Sequence, residues 1–110
     1  MVRWYIEHAL PWLQDRVARH AGRVGVQPTA VTVQDLGYRW GSCGKERRLH
    51  FHWQVILLPP RIIEYVVVHE LVHLSWPHHT PEFWRAVEAA LPGWEARRRW
   101  LTEHGGEFAV

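Results

Sequence analysis

The sequence predicts an α+β fold: one N-terminal helix, a small three-stranded antiparallel sheet and three C-terminal helices. Three observations lead there. Apolar positions recur at helical spacing near residues 8–21 and again after residue 60. Between them lie short β-branched and aromatic runs around a Gly-rich stretch. Proline and glycine then punctuate the last half of the chain at intervals that suit separate helices. With 110 residues there is room for one domain, 1–110, around one modest core. No repeat, low-complexity segment or long linker divides it.

In the first helix Leu10, Leu13, Val17 and His20 or Ala21 share one side. Pro11 is awkward there, so the helix is expected to begin near Leu10 or to kink at Pro11. Gly22 and Gly25 end it. Ala30-Val31-Thr32-Val33-Gln34 reads as a strand with Val31 and Val33 on one face. Tyr38-Arg39-Trp40 and Leu49-His50-Phe51-His52-Trp53 are two more strands, around a hairpin turn over Gly41-Ser42-Cys43-Gly44-Lys45. Pro59-Pro60 opens a helix to about residue 75, which Trp76-Pro77 closes. Thr80-Pro81-Glu82 supplies an N-cap, a first-turn proline and an early acid for a helix over 81–91. Pro92-Gly93 separates a last helix over 94–103, and Gly105-Gly106 is the final stop.

The chemistry concentrates in residues 65–79. His69-Glu70-Leu71-Val72-His73 is a His-Glu-x-x-His motif near the end of its helix. Residues i and i+4 sit one above the other, so His69 and His73 reach the same metal ion. Glu70 projects about 100° from His69, beside the ion, where a general base for water belongs. His79 lies on the short turn after Pro77 and is the candidate third ligand. Two ligands from a helix and one from a turn leave the fourth tetrahedral position open, as catalytic zinc requires. Nine histidines make a chance match easier than usual. Against that, Val66, Val67, Leu71 and Leu74 already furnish an apolar face without the histidines. A closed structural zinc site would need His78 or Cys43 as fourth ligand.

Composition narrows the rest. An apolar content of 47% with eight Trp indicates a folded chain. The single cysteine excludes an internal disulfide and fits a reducing compartment. No leader-like segment opens the sequence and no apolar run approaches membrane-spanning length, so the expected location is the cytoplasm. Net charge is +2, although twelve of the thirteen basic residues are Arg, and the mixed balance does not announce a nucleic-acid binder. Arg97-Arg98-Arg99 is the local exception, but three consecutive helical positions cannot form one stripe.

Four separated blocks resemble the YgjP-like metal-dependent hydrolases, minimal zincins related to the SprT-like and WLM metalloproteases. They are Arg39-Trp40-Gly41-Ser42-Cys43, the stretch into Leu57-Leu58-Pro59-Pro60, Tyr65 to Leu74, and His79-Thr80-Pro81-Glu82-Phe83-Trp84. The resemblance runs from Trp4-Tyr5 to Trp100-Leu101. It implies a zincin-type fold, one Zn²⁺ per chain on His69, His73 and His79, and Glu70 as catalytic base. Members usually carry a strand-rich segment upstream, so this chain reads as the catalytic half alone. His52 stands where the family often has Asn, and Trp76-Pro77-His78 replaces a more polar stretch.

The expected activity is therefore zinc-dependent hydrolysis of a peptide or protein substrate. The hairpin strand beside the site offers backbone pairing to an extended peptide. His52 and His78 are the candidates for substrate or oxyanion contact. Glu88 and Glu95 are candidate partners for the free ring nitrogens of the ligands, beside a backbone carbonyl. Cys43 reads as a small thiol serving its turn, and Phe83 and Trp84 as packing behind the third ligand. Two other functions fit the same residues: a non-catalytic, metal-stabilised module touching nucleic acid through Arg97–Arg99, or a hydrolase of a non-peptide amide. Three imidazoles would also accept Ni²⁺, Co²⁺ or Cu²⁺.

Overall fold

A computed structural model describes residues 2–37 and 39–104. Helix α1 spans Val2–Val24, strand β1 Ala30–Gln34, β2 Gly41–Cys43 and β3 Arg48–His52. Helices α2 (Pro60–His73), α3 (Pro81–Ala90) and α4 (Trp94–His104) complete the chain, as the proline and glycine spacing predicts. No helix among the described residues is long and apolar enough to cross a membrane.

α1 departs from expectation by running straight through Pro11. Pro11 is exposed, so the one backbone hydrogen bond it removes lies on the solvent side. Ala9, Leu13, Val17 and Ala21 are buried along the opposite face and hold both halves of the helix to the core.

The sheet is mixed, not purely antiparallel. Its order is β1-β3-β2, with β1 parallel to β3 and β2 antiparallel to it. The β2–β3 hairpin fixes the antiparallel pair. β2 follows β1 in the chain yet lies at the far edge, so β3 enters the middle and meets β1 in the same direction. Val33, Leu49 and Phe51 turn inward from it.

The second strand is also displaced. Tyr38 lies outside the described residues, and β2 is formed by Gly41–Cys43, which the sequence assigns to the turn. The reversal falls on Glu46 and Arg47, both left-handed at φ 58° and 61°. Thr29 steadies that turn through its N–H to the Arg47 carbonyl (3.0 Å) and its hydroxyl to the Glu46 carbonyl (2.5 Å). Gly41 is thereby released for another role. A Cβ there would lie 2.8 Å from Glu70 Cγ, so its missing side chain lets β2 approach α2. Trp53, expected at the end of the third strand, begins a 3₁₀ turn over Trp53–Leu57 instead.

α2 is the central element. Ile62, Ile63 and every residue from Tyr65 to Val72 are buried, which explains an apolar run without helical alternation. α1, α3, α4 and the sheet surround it.

Candidate metal centre

His69 and His73 lie one turn apart at the end of α2. Pro77 and Pro81 confine the intervening turn, and the Thr80 hydroxyl caps α3 by accepting from the Phe83 N–H. This returns His79 to the helix it has just left. The three Nε2 atoms converge: 3.1 Å between His69 and His73, 3.0 Å between His73 and His79, and 3.3 Å between His79 and His69. The edge of a tetrahedron of Zn–N bonds of about 2.1 Å is about 3.4 Å.

The second nitrogens determine what those Nε2 atoms carry. His73 Nδ1 lies 3.1 Å from the Trp76 carbonyl, which only accepts, so Nδ1 bears the proton and Nε2 faces inward with a lone pair. His69 Nδ1 lies 3.4 Å from the Tyr65 hydroxyl. Burial, then the neighbouring imidazoles, hold His69 down at about 2, and burial also lowers His73. His69 and His73 therefore resist protonation as a relief for their crowded lone pairs. A divalent cation relieves them, so the donor set fits a metal ion. Phe83 packs against all three rings at 4.5–5.0 Å between centroids. Trp84 stacks on His79, and Trp94 on Trp84.

Glu70 is 3% exposed and faces a cavity of about 420 Å³. One wall is Arg39, Gly41, Ser42 and Cys43; the other is His73, Pro77 and His79. Burial lifts the Glu70 carboxyl to about 7, opposed by a Cys43 hydrogen bond and the Arg39 charge. The Cys43 thiol donates to the Glu70 backbone carbonyl (3.0 Å) and approaches its Oε1 (3.7 Å). Burial and the adjacent carboxylate push that thiol up to about 12, which removes it as a nucleophile. Its contact with Glu70 goes beyond serving a turn.

Some expected residues lie elsewhere. His52 is buried with its Nδ1 accepting from the Leu36 N–H (2.9 Å) and Nε2 donating to Gln54 Oε1 (3.3 Å). His78 is exposed on the turn. Neither lines the cavity. Glu88 and Glu95 are exposed, and the ring partners expected of them are Tyr65 and the Trp76 carbonyl. Tyr65 was discoverable, since it sits four residues before His69 on the same helix face. Arg39 and Gly41 were not, because they lie just before and at the start of β2, whose position depends on the turn at 46–47.

Comparison with known proteins gives a family and a fold. The sequence profile described as YgjP-like, metallopeptidase domain, matches residues 1–104. No curated protein matches the chain. Among solved structures, the crystal structure of the metallopeptidase zymogen of Pyrococcus abyssi abylysin superposes with a TM-score of 0.75 at 23% identity. That match covers 88% of this chain and 99% of the other, a likeness of fold.

Proposed function

The chain belongs to the YgjP-like metallopeptidase domain family, and from that premise we propose that it is a zinc-dependent peptidase acting through His69, His73, His79 and Glu70. The observation that carries this reading is the convergence of three Nε2 atoms within 3.3 Å of one another beside a cavity lined by a buried carboxyl.

His69, His73 and His79 would hold the ion, one per chain. Zn²⁺, when bound, supplies a Lewis acid that acidifies water and polarises a carbonyl. Glu70 accepts the proton of the attacking water and returns it to the leaving nitrogen. Cys43 fixes the Glu70 backbone and one carboxylate oxygen, and Gly41 leaves that side chain its space. Arg39 puts a positive side chain on the cavity wall and takes the charge-stabilising role for which His52 and His78 were candidates. Among the described residues β2 pairs with β3 on one side only, so its outer edge offers a peptide backbone a partner beside Glu70.

The test combines metal content with turnover. Wild type should hold about one zinc per chain and cleave an unstructured protein substrate. Glu70→Gln should keep the zinc and lose cleavage, and His79→Ala should lose much of both. Full cleavage by Glu70→Gln, or undiminished zinc in His79→Ala, refutes the assignment.

A further inference from the structure

A second cavity, of about 360 Å³, opens at the other end of α2. Arg16, Arg19, His20 and Arg23 face it from α1, and Arg61 and Glu64 from α2. The α1 residues fall at helical spacing, so the guanidinium groups form one stripe turned towards the start of α2. Pro60, the first residue of α2, also lines the cavity and brings the positive end of the helix to it.

The charges here are not balanced. Asp15 Oδ2 serves both Arg16 and Arg19, each at 3.1 Å. Glu64 is spent on His20 through Oε1 and on Arg97 through Oε2, both at 3.1 Å. Arg23 and Arg61 have no carboxylate partner among the described residues. Five arginines thus meet two carboxylates, an excess of three on a chain whose net charge is +2. His20 is 4% exposed and gives its Nε2–H to Glu64, so it supplies no further donor here and the arginines carry the positive charge. Cations gathered at a helix N-terminus repel both one another and the helix pole, and an anion reverses both effects.

We propose that this cavity binds the phosphate or pyrophosphate group of a small molecule. The guanidinium fork matches phosphate oxygens two at a time, which a lone ammonium cannot do. The concave shape, walled by both α1 and α2, suits a compact group. The site is distinct from the metal centre: Pro60 and His69 are nine residues apart on one helix, about 14 Å. It stands independently of the peptidase reading.

The test titrates the full chain with inorganic phosphate and with pyrophosphate at fixed ionic strength, by calorimetry. Arg23→Gln/Arg61→Gln is the informative variant, because neither side chain has a carboxylate to lose. Arg85→Gln/Arg99→Gln changes charge equally on exposed positions away from the cavity. Saturable one-to-one binding, weakened about tenfold or more in the first variant and little changed in the second, supports the site. Absence of saturation with both probes overturns it, as does equal weakening in both variants. A short DNA duplex that outcompetes pyrophosphate at this cavity overturns the small-ligand assignment.

Discussion

Replacing Glu70 by Gln should stabilise the metal-free protein at alkaline pH. Burial raises the Glu70 carboxyl from 4.5 to about 7. Below pH 4.5 the folded and unfolded chains both hold the proton, and nothing is lost. Between 4.5 and 7 the unfolded chain releases it while the fold retains it, so stability falls as pH rises. Above 7 both are ionised and the penalty is constant. The interval between the two values corresponds to about 3 kcal/mol. The amide introduced by Glu70→Gln keeps an oxygen for the Cys43 thiol and carries no charge to desolvate. Burial lowers His20, His69 and His73, and their stabilisation is lost as pH falls below 6.5. Comparing wild type with variant at each pH cancels that contribution. The assay is urea denaturation of both proteins after chelation, from about pH 4 to about pH 8. The midpoints should coincide at the acid end and differ by roughly 1–3 M at the alkaline end, the variant being more stable. Equal midpoints at pH 8 would refute the ionisation argument. A gap unchanged across the range would assign it to packing instead.

Four further outcomes follow from the same geometry. Tyr65→Phe removes the partner of His69 Nδ1 and should weaken zinc binding by about 10-fold or more, read by competition with a chromogenic chelator. Gly41→Ala brings a Cβ to 2.8 Å from Glu70 Cγ and should reduce turnover sharply while metal content stays near one per chain. Arg47→Gly relieves a left-handed non-glycine residue and should raise stability by about 1 kcal/mol in urea denaturation. Cys43, with its thiol at about 12, should resist alkylation near pH 8 in the folded protein and react fast once unfolded, which a timed thiol assay resolves.

The helices were legible because their signals are local. Thr80-Pro81-Glu82 and Pro92-Gly93 mark boundaries within one turn, and the spacing of His69 and His73 is a property of a single helix. The sheet was less so. Its mixed pairing depends on which edge β2 takes, which no local pattern encodes. The turn at Glu46 and Arg47 uses backbone angles that favour glycine, while the glycines beside it serve close approach. Gly41 looked like turn chemistry for that reason. His52 looked available because strand alternation gives only a face. The two hydrogen bonds that occupy its ring come from the distant Leu36 and the neighbouring Gln54.

The three proposed ligand histidines form a gradient, with His69 buried, His73 intermediate and His79 exposed. Two are fixed to a helix enclosed on all sides, whereas the third sits on a surface turn between two prolines. Local openings cost least where backbone is exposed and sparsely packed. If the three hold an ion as proposed, the site would be hinged at one ligand: His79 would open first, while His69 and His73 stay in register as a two-toothed jaw. The helix that holds the core together would remain folded as the ion came and went.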